Sequence, residues 1–183
     1  SGQHCTVVLC VNNFVQVLIS SDLRSRLIKG AMKSAFTFYS EFFGKAYVLN
    51  SLDEEKLIIE YEQSYSNAVS LGLFKSGGIS GKDHLNFWCL GQIFSPERYI
   101  ESGVFIGSSL HSFIGLSSLK QVIAIDPNLT NLKIPTQDIP NVVLVENKDF
   151  SEIEIEYSTL KTLVCFDDHI NTADRIIQAY QKG

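Results

Sequence analysis

The second half of the chain contains four short apolar runs separated by polar segments. They are YIESGVFIG at 99–107, QVIAIDP at 121–127, NVVLVENKD at 141–149 and TLVCFDDH at 162–169. Val, Ile, Leu and Phe fill the centre of each run with little polar alternation, which is typical of strands buried on both faces of a parallel sheet. This half of the chain therefore predicts an α/β fold, a parallel sheet with helices on both faces.

The first 75 residues show a helical pattern instead. Ser21 and Asp22 provide a cap signal for a run at 21–49 in which apolar positions recur at helical spacing. A second predicted helix covers 51–74, with acidic residues in its first turn, where the helix dipole favours them. The aromatic stripe on these helices predicts either packed core or a dimer face.

The stretch KSGGISGKDH at 75–84 separates the two halves. Its glycines and serines predict a flexible connector or a lid over a site, followed by a helix over 84–94. We therefore expect a helical N-terminal region at 1–83, acting as a cover or dimer arm, and a sheet domain at 84–183.

Composition narrows the class of partner. The chain has 183 residues, 45% of them hydrophobic, which is enough for a buried core. A net charge of −5 leaves no basic surplus for phosphates, so no nucleic-acid partner is expected. The apolar run at 5–19 is shorter than the roughly 20 residues of a spanning helix, so no membrane partner is expected. Four cysteines without CxxC or zinc spacing fit a cytoplasmic location.

Polar residues cluster where each predicted strand ends. Because ligands of open α/β sheets bind at the carboxyl ends of the strands, this repetition is the strongest functional signal in the chain. The candidates are Glu101, Gly103, Gly107, Ser108 and Ser109 around the first end, Asp126 after the second, Asp149 and Phe150 after the third, and Asp167, Asp168 and His169 after the fourth.

The first turn has two interpretations. Gly103 and Gly107 lack a Cβ atom, so the backbone can turn sharply and a ligand can approach closely. Ser108 and Ser109 could cap a following short helix, whose N–H groups face an anion or carboxylate. Glu101 could accept hydrogen bonds from a ligand ammonium or from loop amides. A tight turn that packs closely and binds nothing is the alternative.

The second and third strand ends also have two interpretations each. Asp126, about 20 residues after the glycine turn, could bind the two hydroxyls of a ribose, or it could belong to a plain Asp-Pro-Asn turn. Asp149 could accept a hydrogen bond from an adenine amino group, with Phe150 against the ring, or it could cap the next segment.

The side chains with the most potential for chemistry follow the fourth predicted strand. Asp167 and Asp168 could bind a divalent cation, and Asp168 or His169 could act as a general base. Adjacent strand residues point to opposite faces, so the two carboxylates share a site only if the strand has already ended. Alternatively, one Asp faces a ligand and the other caps the next helix.

Two common motifs are excluded. Gly81-Lys82 is not followed by Ser or Thr and lacks the upstream glycine, so the segment is not a phosphate-binding P-loop. In GSSLH, His111 stands where the second glycine of a nucleophile elbow would follow Ser109, which excludes that serine hydrolase motif.

Together, the four strand ends resemble the class I S-adenosylmethionine-dependent methyltransferases, whose fold is Rossmann-like. ESGVFIGSS is similar to the first motif of that family, an acidic residue followed by spaced glycines. In the family this loop holds the methionine part of the cofactor. The matching positions are Glu101, Gly103, Gly107, Ser108 and Ser109.

The later motifs match in order. By resemblance, Asp126 binds the ribose hydroxyls and Asp149, with Phe150 beside it, contacts adenine. LVCFDDH is similar to the fourth motif, which faces both cofactor and substrate; this implies that Asp167 contacts the cofactor and that Asp168 lies beside the substrate.

The form of these motifs is similar to that of small-molecule O-methyltransferases and the cephalosporin-hydroxylase-like group, several of which use magnesium. The resemblance thus implies Mg²⁺ held by Asp167 and Asp168. The domain of the family continues through three more strands, so we expect either a chain that stops early or a reduced relative.

The activity implied by the resemblance is methyl transfer from S-adenosylmethionine to an oxygen of a small-molecule acceptor. Asp168 or His169 would be the base, and a homodimer is a further expectation. Two alternatives stay open: a non-catalytic binding or assembly module of the same fold, and a metal-dependent nucleotide-sugar transferase that uses FDDH.

Overall fold

The computed structural model describes residues 21–44, 51–75, 77–155 and 159–182. The apolar run at 5–19 and the predicted end of the first helix at 45–49 lie outside these residues. The helices are α1 (Ser21–Phe42), α2 (Ser51–Ser70), α3 (Gly81–Phe94), α4 (Ser108–Ile114) and α5 (Thr172–Gln181), and the strands are β1 (Arg98–Ser102), β2 (Gln121–Asp126), β3 (Val142–Glu146) and β4 (Thr162–Phe166).

The four strands form one parallel sheet in the order β3-β2-β1-β4. In its central register, Ile100 of β1 lies between Ile123 of β2 and Val164 of β4. The predicted α/β, Rossmann-like sheet, preceded by a helical region, is confirmed. The strands run parallel, so all four carboxyl ends lie at the same edge of the sheet.

The side chains of each strand alternate between the two faces of the sheet and pack against a core cluster on each face. Tyr99 packs into the larger core cluster with the helical region, α3 and α4, whereas Ile100 packs into a smaller cluster that contains Phe150 and Ala179 of α5. Successive side chains of a strand point to opposite faces, so each strand contributes to both clusters. Glu101 therefore lies on the same face as Tyr99, under α4.

Strand β3 departs from the predicted burial. Val143 and Leu144 are 44% and 43% exposed, although their run is as apolar as the other three. Edge position alone is not the reason, because β4 is also an edge strand and is buried: Leu163 and Cys165 pack in the larger cluster and Val164 and Phe166 in the smaller one, whereas Val143 and Leu144 belong to neither. The prediction that all four runs are buried on both faces is wrong for this strand.

The aromatic stripe of α1 divides between core and surface. Met32, Phe36 and Tyr39 are buried in the larger cluster, and Phe38 and Phe42 are exposed. The same cluster continues through α2 and α3 into β1, β2 and β4, so the helical region and the sheet share one core. The dimer arm stays a prediction. Within the described ranges, no helix is both long enough and apolar enough to cross a membrane.

A buried histidine pair joins α3 to α4. His84 Nε2 lies 3.2 Å from His111 Nδ1, inside a shell of aromatic rings that includes Tyr61 and Phe74. Burial lowers the pKa of His84 to about 3, with a further contribution from His111, and lowers the pKa of His111 to about 4. Both imidazoles are therefore neutral at physiological pH.

The histidine pair predicts a loss of stability in acid. The folded pKa values lie below the ordinary value of 6.5, so the unfolded chain binds more protons. The stabilisation is complete above pH 6.5 and is lost as the pH falls toward 4 and then 3. Each histidine adds a slope of up to about 1.4 kcal/mol per pH unit to the free energy of unfolding.

Urea unfolding across this pH range measures the slope. The double variant His84→Gln, His111→Gln should have a shallower slope than the wild type, because neither position titrates. Gln137→Ala, at an exposed position, is the control and should keep the wild-type slope because it neither adds nor removes a titrating group. Equal slopes for the wild type and the double variant would contradict the prediction.

Candidate functional site

A cavity of about 550 Å³ opens at the carboxyl ends of β1, β2 and β4. This volume lies within the range of small-molecule sites. The segment before α3 and the first turns of that helix form the opposite wall through Gly77, Gly78, Ile79, Ser80, Asp83 and Phe87. From the predicted set, the cavity brings together Gly103, Ser109, Asp126, Asp167, Asp168 and His169.

Gly103 lets two strand-end loops meet. Its φ is +92°, and a Cβ atom there would lie 2.5 Å from both the carbonyl carbon and the carbonyl oxygen of Asp167. The same loops are joined by a 2.8 Å hydrogen bond from Asp167 N–H to Ser102 O. A side chain at this position would force the loops apart, so the glycine is needed for packing as well as for any ligand.

Glu101 lies behind the cavity wall. It is completely buried and accepts hydrogen bonds from the Tyr99 hydroxyl, at 2.8 Å, and from the Ser109 hydroxyl. Burial raises its pKa to about 8; the two hydrogen bonds act in the opposite direction, and the nearby Asp167 and Asp126 raise it further. Glu101 is therefore mostly neutral at pH 7, and Ser109 is the group that reaches the cavity.

The Asp126 carboxylate is held by two backbone donors. Its Oδ2 accepts from Phe105 N–H at 2.7 Å, and its Oδ1 accepts from Asn128 N–H at 2.8 Å. The turn and the ligand interpretations are therefore compatible, because each carboxylate oxygen keeps a lone pair for a ligand hydroxyl. Phe105, which lines the cavity beside Asp126, has a φ of +47°, a strained value for a bulky residue.

The two serines of the glycine turn have different neighbours. Ser108 donates a 2.6 Å hydrogen bond to Leu73 O and ties α4 to the helical region, whereas Ser109 lines the cavity. The N-cap of α4 is Gly107, and no side chain caps this helix, so the expected serine cap is wrong. Gly107 has a φ of +86° and does not line the cavity; a Cβ atom there would lie 2.8 Å from the side chains of Leu132 and Ile134.

The third strand end lies away from the cavity. Asp149 caps a 3₁₀ turn by accepting from Ser151 N–H, and Phe150 is buried with its ring 4.8 Å from that of Phe166. Neither residue lines the cavity. Their contact with adenine stays a prediction, and the alternative of a capping carboxylate describes the observed geometry of Asp149.

Sequence reasoning missed Arg175. Its side chain is 2% exposed, and its guanidinium bonds both oxygens of Asp149, at 2.9 and 2.5 Å, and Oδ2 of Asp168, at 2.8 Å. Hydrogen bonds from Arg175 hold the pKa of Asp149 well below its usual range, and Asp149 raises that of Arg175. The signal in the sequence was a single Arg in the helix segment TADRIIQAY. The residues around it do not indicate which carboxylates it contacts.

The fourth strand ends early enough for Asp167 and Asp168 to share the cavity. Strand β4 ends at Phe166, so both residues lie in a loop, and His169 follows with a φ of +58°. Burial raises the pKa of Asp167. Asp168 is already engaged, since its Oδ2 accepts from Ser102 Oγ at 2.5 Å as well as from Arg175.

The metal prediction finds no matching donor set. Across the described part of the chain, no three His, Cys, Asp or Glu side chains are placed together in a way that could hold a metal ion. Asp168 turns one oxygen toward a buried guanidinium, which competes with a cation for the same lone pairs. Mg²⁺ needs only one or two protein carboxylates beside its waters, so its binding by Asp167 and Asp168 stays a prediction.

Comparison with known proteins adds little. No family model and no curated protein matches the chain. One solved structure, described as "cmcI-N160 SAH", matches with 24% identity and a TM-score of 0.41, over 54% of this chain and 50% of that one. The chain thus spans about half the length of that solved chain, and the likeness carries no argument about function.

The Arg175 contacts predict a large loss of stability on substitution. Arg175→Met removes the hydrogen bonds of a buried guanidinium to Asp149 and Asp168; because Asp149 is 40% exposed and water can solvate it, we expect a loss of about 2 kcal/mol of unfolding free energy. Arg175→Lys should lose less unfolding free energy than Arg175→Met, because the ammonium keeps the positive charge. It should still lose some, because an ammonium cannot make the bidentate contact.

Chemical denaturation measures both variants. Lys120→Met removes the exposed ion pair with Glu97 and is the matched control, with an expected loss below about 1 kcal/mol. Equal losses for Arg175→Met and Lys120→Met would show that the buried contacts contribute little.

Proposed function

We propose that this chain binds S-adenosylmethionine in the cavity at the strand ends and transfers its methyl group to an oxygen of a small molecule. One observation carries the proposal: four carboxylates line the cavity, while none of its described lining residues is Lys or Arg. The carboxylates belong to Asp83, Asp126, Asp167 and Asp168.

The sign of the charge supports a sulfonium cofactor over a phosphate-bearing one. A cavity walled by carboxylates attracts a cation and repels the diphosphate of a nucleotide sugar. A sugar-nucleotide transferase would need basic side chains or a metal to offset that diphosphate. The described lining residues of this cavity include no Lys or Arg, so the FDDH transferase alternative would depend on a metal held by Asp167 and Asp168.

The positions of the residues suggest how the cofactor lies. The fixed carboxylate of Asp126 would accept the ribose hydroxyls, as it already accepts two backbone N–H groups. Phe105 and Pro127, beside it in the cavity wall, would flank the adenine. Gly103 and Ser109 would lie along the methionine part, and the mostly neutral Glu101 would hold the Ser109 hydroxyl in place.

When bound, S-adenosylmethionine supplies a methyl group on a positively charged sulfur. The chain mainly aligns the acceptor with that group, a proximity effect. Asp168 is held by Arg175 and Ser102, which favours an orienting role for its carboxylate. The exposed His169 is the better candidate to take the proton that leaves the acceptor oxygen.

Calorimetric titration with S-adenosylhomocysteine tests the site. Asp126→Asn keeps the shape of the side chain but removes its charge, so affinity should fall roughly 10- to 100-fold, the value of hydrogen bonds to a charged group. Asp174→Asn, at an exposed position on α5, is the control and should bind like the wild type.

Three outcomes separate the alternatives. No binding by the folded wild type, or equal weakening by both variants, would overturn the proposed cofactor site. Binding without methyl transfer to any member of a panel of hydroxyl-bearing acceptors would favour the non-catalytic module. Turnover that Asp126→Asn weakens would support the enzyme.

The carboxylate lining also predicts a charge preference. S-adenosylmethionine, whose sulfur is positively charged, should bind more tightly than S-adenosylhomocysteine, whose sulfur is uncharged. This difference in affinity should shrink as salt screens the carboxylates. Asp167→Asn, whose side chain lines the cavity, should narrow the difference at low salt. Titrations of both compounds at two ionic strengths measure the difference in affinity. Equal affinities at low salt would contradict the electrostatic argument.

A further inference from the structure

A second and larger cavity, of about 980 Å³, lies on the other side of α4. It shares no lining residue with the cavity at the strand ends. One face of helix α2, from Asp53 to Asn67, lines this groove. An α-helix rises about 1.5 Å per residue, so the groove is roughly 20 Å long. Helix α3 and the residues from His111 to Ser118 form the other walls.

The groove contains a hydroxyl without a hydrogen-bond partner. Ser112 is 2% exposed and lines the groove, and its Oγ has no partner among the described residues. A buried polar atom left unpaired costs free energy, so each such atom needs an explanation. A ligand hydroxyl or amide reaching Ser112 would satisfy it.

The histidine pair supplies a donor beside Ser112. The Nδ1 atom of His84 is buried without a partner in the described residues, and an unpaired acceptor is tolerated better than an unpaired N–H. This favours the tautomer of His84 in which Nε2–H donates to His111 Nδ1. That tautomer leaves the proton of His111 on Nε2, and His111 lines the groove.

The charges of the groove exclude anionic ligands. Three carboxylates line it, from Asp53, Glu60 and Asp138, against one ammonium from Lys56. Lys56 Nζ lies 3.6 Å from Glu60 Oε1, so its charge is already compensated. His111 is neutral at physiological pH because burial lowers its pKa to about 4. Phosphates, nucleic acids and carboxylates are therefore disfavoured.

The remaining walls offer amides, hydroxyls and a few apolar side chains. They include Gln63, Asn67 and Gln92, whose amides both donate and accept, and Leu57 and Leu116, which present apolar surface. This mixture suits a ligand with many hydroxyl groups and C–H faces. We propose that the groove between α2, α3 and α4 is a second binding site, for an uncharged polyhydroxylated molecule such as a short neutral oligosaccharide.

Titration followed by backbone amide NMR tests the groove without any cofactor, so its outcome does not depend on the proposed methyl transfer. The probes are maltotriose, cellotriose and mannotriose, with glucuronate as the charged counterpart. We expect saturable shifts at Asn67, Ser112 and Gly115 with at least one trisaccharide and none with glucuronate. No saturable shift with any trisaccharide, or equal binding of glucuronate, would overturn the proposal.

Two variants separate binding from folding. Gln63→Ala should weaken the binding of the responsive trisaccharide several-fold, whereas Glu55→Ala, at an exposed position of α2 outside the groove, should not. Ser112→Ala should weaken binding while leaving the free energy of unfolding unchanged or higher, because it removes an unpaired buried hydroxyl. Unchanged affinity in both groove variants would contradict the assignment.

Discussion

The backbone contact between Gly103 and Asp167 is the constraint on which the cavity depends. Strands β1 and β4 are neighbours in a parallel sheet, and their exit loops meet only because position 103 carries no Cβ atom. That contact draws Asp167 and Asp168 toward the loop that Asp126 holds in place through Phe105 N–H. Three acidic residues at two strand ends thereby face one volume, and the negative field that favours a cationic ligand follows from this packing.

Mutual repulsion among these carboxylates has to be offset elsewhere in the fold. Glu101, in the centre of the sheet, is mostly neutral, since burial and nearby acids raise its pKa to about 8. Asp168 instead lies beside Arg175, which also contacts Asp149 and so connects the loops after β3 and β4. The single positive charge of Arg175 offsets only part of the negative charge of Asp149 and Asp168, and Asp83, Asp126 and Asp167 are the other carboxylates that line the cavity.

Helix α4 separates two environments with different chemistry. Ser109 faces the acidic cavity, whereas His111 and Ser112 face the groove along α2. The apolar residues of α4, Leu110 and Phe113, stay buried in the larger core cluster. The neutral histidine pair joins α4 to α3 through the 3.2 Å contact between His84 Nε2 and His111 Nδ1.

The sequence by itself determined the elements and most of the cavity wall. Apolar runs, helical periodicity and the polar strand ends are local patterns, and a parallel sheet brings its strand ends to one edge whatever the details of packing. Tertiary structure alone decided the pairings: Arg175 with Asp149 and Asp168, Phe150 in the core rather than at the cavity, and the exposure of β3. Those depend on the strand order β3-β2-β1-β4 and on which helix covers each face, long-range contacts that no local pattern encodes.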